Sequence, residues 1–242
     1  MGPRSRGRVH ALALLMVVSA AASPLDEVVH DRVFRYLVSH EVRLVANGVT
    51  LLGTTEAAVG VLGVLALVGY RTGDLVLGRG GLGGLAGLAI GGVAGQAVKH
   101  MACRARPRLV DGWGVGVPTL PDNPARRGFF HWPCFARWQY HSFPSGHANT
   151  ALTVAAALAA VAPGRRRSWF VVAAGVAASR VLLNAHFASD VLAGGLVGWW
   201  SGQAGLWLAE RYLPGVPGRP GAPVEVSAAE SRPPGIARTP LS

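Results

Sequence analysis

The sequence is poor in charge, and poorest in acid. Only 14% of its 242 residues are charged, against roughly a quarter in an ordinary soluble domain, so that class is disfavoured. The 12 Asp and Glu residues stand against 23 Lys and Arg, for a net charge of +11. Only one of those basic residues, Lys99, is lysine; the rest are arginine. Two cysteines are too few for a disulfide-built secreted scaffold. No internal repeat, zinc-finger spacing, RNP pattern or single basic stripe is present, so the excess of arginine does not mark a nucleic-acid partner.

What the chain has in quantity is apolar residues, at 50%, and 33 glycines. That content excludes disorder along the whole length. The apolar residues cluster in runs near the roughly 20 residues that cross a bilayer as a helix. These runs are 49–70, 76–98, 148–162, 169–183 and 191–209. A further run, 9–22, follows Arg4, Arg6 and Arg8. It reads either as a secretory signal peptide or as a retained first helix. The expected fold class is therefore all-α, a polytopic membrane helical bundle of about six transmembrane helices. Residues 1–23 form the signal-anchor or first span, 24–213 the membrane domain, and the Pro- and Gly-rich 214–242 a disordered cytoplasmic tail. Within 24–47, Val29, Val33, Leu37, Glu41 and Leu44 recur at helical spacing. This predicts an amphipathic helix, lying on the membrane surface or packed on the other helices.

Arginine placement orients the bundle. Arg165, Arg166 and Arg167 fill one short turn, and Arg71, Arg79, Arg211 and Arg219 fall on the same side if the spans alternate. That side is expected to be cytoplasmic. Segments 99–144 and 184–190 then lie outside, and they hold the chemistry. The first begins with Lys99 and runs through Arg104 to Arg106-Pro107. Guanidinium forks match phosphate oxygens bidentately, so this is a candidate phosphate clamp. The second is Phe143-Pro144-Ser145-Gly146-His147. Ser145 is a good helix N-cap, the helix start is an anion site, and Gly146 lets an oxyanion approach the backbone. The third runs from Ser179-Arg180 through Asn184 to His186 and Asp190. A carboxylate four residues from an imidazole can fix its tautomer and leave the other ring nitrogen as nucleophile or base.

Taken together, K-x6-RP, PSGH and SR-x5-H-x3-D on one membrane face resemble the type 2 phosphatidic acid phosphatase (PAP2) superfamily, which shares its core with vanadium-dependent haloperoxidases. The motifs cover 99–190. The resemblance implies a metal-independent membrane lipid phosphatase without a cofactor, working through a phosphohistidine. It implies that His186 is the nucleophile, Asp190 the residue that orients it, and His147 the general acid. Lys99, Arg106, Ser145, Gly146 and Arg180 would form the phosphate cradle. Arg104 lies outside the core motif and suits a contact to a second phosphate or a headgroup. The substrate would be a membrane lipid phosphate or pyrophosphate: phosphatidic acid, phosphatidylglycerol phosphate, undecaprenyl pyrophosphate or a lipid A phosphate. The composition suits a bacterial cell membrane, with the active site on the extracytoplasmic side.

Two other function classes are open: a metal site built from His141, His147, His186 and Asp190, and a transporter or structural protein without turnover. Glu56, an acidic interruption of the first run, is a secondary candidate. Trp113, Phe129, Phe130, Trp132, Trp138 and Tyr140 crowd the external loop and suit an interfacial anchor. Gly83, Gly84, Gly87, Gly91, Gly92 and Gly95 allow close helix packing. Cys103 and Cys134 both fall outside, where oxidants reach, and are expected to pair.

Overall fold

The computed structural model describes residue 17 and residues 23–111, 128–131 and 134–213. Apart from Val17 the run 9–22 lies outside the described residues, as do Trp113, Trp132, Arg219 and the tail 214–242. The described elements are helical, with no strand among them. They are α1 (Ser23–Tyr36), α2 (His40–Thr50), α3 (Thr55–Thr72), α4 (Leu75–Ala102), α5 (Pro107–Asp111), α6 (Gly146–Val161), α7 (Arg166–Leu182) and α8 (Ala188–Tyr212).

Local chemistry sets the boundaries, and in two places departs from the apolar runs. The run 49–70 is not one helix. A 3-10 turn, Leu51–Gly53, separates α2 from α3, because extended Thr54 caps α3 by accepting from the Ala57 N–H. The segment 24–47 is likewise divided, at Ser39, whose hydroxyl accepts from the Val42 N–H to open α2. Asp74 caps α4 by accepting from the Val76 and Leu77 amides at 2.9 and 3.1 Å.

α4, α6 and α8 pack on one another at the centre, with α3 against α4 and α7 against α6. The centre is small and polar. A Cβ on Gly198 would stand 2.1 Å from the Asn149 carbonyl oxygen, so only glycine lets α8 lie this close to α6. Buried Asn149 donates to the Gly91 carbonyl at 2.8 Å, and Thr153 donates to the Asn149 carbonyl at 2.9 Å. The large apolar side chains point outward, among them Val64, Leu67, Val93, Leu192 and Trp207. This inside-out distribution is what a lipid surround permits, because lipid tails solvate Leu and Val as well as a protein core does. α3 and the long helix beginning at Leu75 are long and apolar enough to cross a membrane, and α6 is apolar but shorter.

The bundle has two chemically different ends. At one, Arg79 donates through Nε and Nη2 to the Leu213 carbonyl at 3.0 and 2.8 Å, and Val161 packs on Gly80. This end gathers Arg71, Arg79, Arg165, Arg166, Arg167 and Arg211. The other end gathers the C-terminus of α4, the N-terminus of α6 and the α7–α8 connection, which together hold the three sequence motifs.

α1 does not present its apolar stripe to the protein. Val28 and Val29 are exposed, as is Leu37 just past its end, whereas Asp26 and His30 are buried. The helix is turned polar face inward, toward partners described below.

Candidate active site

The last turn of α4 carries Lys99. Cys103 ends the helix in the left-handed region, its N–H donating to the Lys99 carbonyl at 2.9 Å. Cys103 is bonded to Cys134, so the chain leaving α4 is tied to the aromatic loop, as expected. Arg106 follows outside any helix. Its backbone N–H donates to Gln139 at 2.9 Å, and its guanidinium reaches the Trp138 and His141 carbonyls at 3.3 and 3.4 Å.

Ser145, fully buried, is the N-cap of α6. Its own N–H donates to the Asp190 carbonyl at 2.9 Å, which locks the second motif onto the third. A Cβ on Gly146 would lie 3.3 Å from Lys99 Nζ, so the first motif's amine sits over the start of α6. His147 packs against Gly53 in the turn between α2 and α3; a Cβ there would come within 3.3 Å of the His147 ring. Arg180 donates to Thr50 Oγ1 at 2.7 Å, which aims its guanidinium from the last turn of α7.

Asn184, in the left-handed region at φ 53°, turns the chain after α7 and delivers His186 just before α8. The stretch between them is not helical. His186 is 2% exposed, and burial pushes its imidazole down to about 3 despite the opposing pull of Asp190. The ring is therefore neutral, with Nδ1 3.7 Å from Asp190 Oδ2. That is an ion-pair spacing, longer than a hydrogen bond, and such contacts commonly tighten only when substrate binds. Asp190 itself is firmly held. Oδ1 accepts from Arg104 Nη1 at 2.6 Å, and Oδ2 accepts from the Ser142 hydroxyl at 2.5 Å and the Phe187 N–H at 2.9 Å.

A cavity of about 360 Å³ is lined by Lys99, Ser145, Gly146 and His147; His186, Asp190, Arg106 and Arg180 lie outside its lining. Glu56, in the first turn of α3, lines the same cavity with Gln96 and Asn149. Glu56 therefore stands at the same end of the bundle as the motifs.

The structure reassigns three residues. Arg104 does not face a headgroup: it is 2% exposed and its guanidinium is taken up by Asp190, Ser189 and Asp26. His141 is drawn to the Cys134 carbonyl at 3.0 Å and lies tilted against His100, ring centroids 4.7 Å apart. Among the described residues no three His, Cys, Asp or Glu side chains form a metal-holding group, so the set His141, His147, His186 and Asp190 is not assembled as one. Phe129 turns inward to cover Arg104, 4.7 Å from its guanidinium carbon, while Phe130 and Trp138 remain exposed.

Four residues that hold this geometry carry no sequence signal of their own. Thr50, Ser142, Ser189 and Asp26 are single polar residues beside or far from the motifs, and nothing in periodicity or spacing sets them apart.

A family model described as the PAP2 superfamily matches residues 81–212, more than half of the chain. Among curated proteins, the lipid A 1-phosphatase of Porphyromonas gingivalis is 40% identical over 75 residues, covering 29% of this chain and 17% of that protein. The lipid A 1-phosphatase of Rhizobium etli is 36% identical over 81 residues, covering 33% and 35%. The chain thus spans about a third or less of the length of these relatives. The solved transmembrane PAP2-type phosphatidylglycerolphosphate phosphatase from Bacillus subtilis superposes with a TM-score of 0.60 at 21% identity, over 84% of this chain and 96% of that one. At that identity the likeness is one of fold.

Proposed function

The chain belongs to the PAP2 superfamily, and from that premise we propose that it is an integral-membrane phosphatase that hydrolyses a lipid phosphate or pyrophosphate without a metal ion. The supporting observation is the convergence of three motifs separated in sequence: Ser145 bonded to the Asp190 backbone, Lys99 over Gly146, and His186 beside Asp190.

Lys99, Arg106, Arg180, the Ser145 hydroxyl and the Gly146 amide hold the phosphate oxygens. Phosphoryl transfer asks a protein mainly for positioning and charge stabilisation, which three cations and a helix start supply. Asp190 faces Nδ1 of His186, leaving Nε2 to attack phosphorus. The P–O bond to the lipid breaks, and His147 gives its proton to the departing oxygen. Water then attacks the phosphohistidine, His147 takes the water's proton, and orthophosphate leaves. The bundle spans a bacterial cell membrane with about six helices, and its arginine-rich end is cytoplasmic. The catalytic end then faces the extracytoplasmic side. The substrate is among phosphatidic acid, phosphatidylglycerol phosphate, undecaprenyl pyrophosphate and lipid A phosphates, the last favoured by the named activity of the curated relatives.

The test is phosphate release by the purified protein in detergent with EDTA, on those four lipids. Release that EDTA leaves intact supports the reading and ranks the substrates. Release that EDTA removes, or no release from any of them, refutes it.

The buried imidazole adds a pH expectation. A ring with its pKa pushed to about 3, below the ordinary 6.5, stays neutral at pH 5 as at pH 7. Phosphoenzyme formation should therefore lose no rate to protonation of His186 across that range. A rate falling about tenfold per pH unit from 6.5 downward would contradict a buried neutral nucleophile.

A further inference from the structure

The polar face of α1 points at one spot. Asp26, 3% exposed, accepts from Arg104 Nη2 at 2.8 Å through Oδ2 and from the Ser189 N–H at 2.9 Å through Oδ1. The Ser189 hydroxyl also donates to Asp26 Oδ2. Arg104 Nη1 bonds Ser189 Oγ at 2.7 Å and Asp190 Oδ1 at 2.6 Å. One guanidinium thus bridges two carboxylates, Nη1 bound to Asp190 and Nη2 to Asp26, with the Ser189 hydroxyl joining the two sides. Phe129 and Phe187 stack on it at 4.7 and 4.4 Å. The two rings shield the buried guanidinium from solvent, and its fork is planar and rigid. A second tether repeats the approach: His30, one turn further along α1, bonds Asn184 Oδ1 at 2.7 Å, two residues before His186.

We propose that Asp26 is a positioning residue of the active site, which sets the carboxylate of Asp190 through Arg104 and Ser189 and so aims His186. The inference rests on the phosphatase reading above. It adds a part that the family match does not contain, since α1 lies wholly before residue 81.

Geometry gives the reason. Held only by Asp190 and Ser189, the guanidinium could pivot about its Nη1 bonds. Asp26 fixes the other end of the fork and removes that freedom. Asp190 Oδ1 is then committed to Arg104, and Oδ2 is left facing Ser142, the Phe187 amide and the imidazole. Small misplacements of a reacting group cost up to about a hundredfold in rate. Lys99, Arg106 and Arg180 take no part in this array, so phosphate binding should be untouched by its loss.

The experiment uses the full chain in detergent with radiolabelled phosphatidic acid and the other lipids of the panel. It compares wild type, Asp26→Asn and Ser189→Ala. Active sites are counted as trapped phosphohistidine, so that misfolded molecules do not enter kcat. The expected result is a kcat per phosphorylatable site lowered about 10- to 100-fold in Asp26→Asn, with KM within about twofold of wild type. Ser189→Ala, which removes a shared hydroxyl but no charge, should show a smaller loss in the same direction, and it carries the test if Asp26→Asn does not fold. An unchanged kcat per site in both variants, even with a lowered melting temperature, would make Asp26 a purely structural residue and overturn the proposal. A raised KM with kcat intact would overturn it equally. A wild type that forms no phosphohistidine with any lipid refutes the phosphatase reading first, and this inference with it.

Discussion

Alanine in place of His186 is expected to reduce phosphate release by at least about four orders of magnitude, the scale seen when a covalent nucleophile is deleted. Lys99, Arg106 and Arg180 would still hold the phosphate, so lipid binding should survive while chemistry stops. The reason lies in the division of labour at the site. In the proposed mechanism three cations and the start of α6 would stabilise charge, but none of them could form the covalent bond that divides the hydrolysis into two displacements. The variant should also trap no acid-labile phosphate on the protein. Because the ring is buried, with 2% exposed, alanine leaves a cavity, and His186→Gln serves as the volume-matched control. A near-wild-type rate in either variant would remove His186 from the mechanism.

The second large effect falls on a residue that touches no substrate. Arg104→Leu leaves Asp26 and Asp190, 3% and 0% exposed, buried without the cation that pairs with both. Removing one partner of a buried ion pair costs about 3–5 kcal/mol, because the other charge stays desolvated. Here two are left, so thermal inactivation in detergent should shift strongly downward and activity should be lost with it. Arg104→Lys should recover only part of the stability, since an ammonium is a point charge and cannot fork to both carboxylates. A leucine variant as stable as wild type would mean that the carboxylates are hydrated, contrary to their burial.

The two residues differ in how visible they are in the sequence, and for a physical reason. His186, Asp190, His147 and Lys99 belong to short motifs whose spacing is imposed by the chemistry, so the family likeness was legible from them and the family model agrees. The central helices were legible because lipid demands long apolar runs. From the sequence alone Arg104 suits a contact to a second phosphate or a headgroup, since an arginine in an external loop near a phosphate clamp has that as its simplest use. Of its three partners, Asp26 is far away in sequence, on a segment whose apolar spacing pointed to the wrong face. Pairings of this kind follow from tertiary contact alone. The break at Thr54 was missed for a related reason: a single capping threonine is a weak signal inside a strongly apolar run. The disulfide was legible because the chain offers only one pairing.

The small, polar centre of the bundle also fixes how this chain can vary. At a position such as Val93 or Leu192, which faces outward, one apolar side chain can replace another with little consequence. At Gly198 even a single methyl group meets backbone at 2.1 Å. The usual ranking of mutational tolerance is thereby inverted: the bulky residues drift and the smallest ones are locked. Hydropathy would score the exchange of Gly198 for alanine as trivial, yet it would part α8 from α6 and separate Asp190 from Ser145.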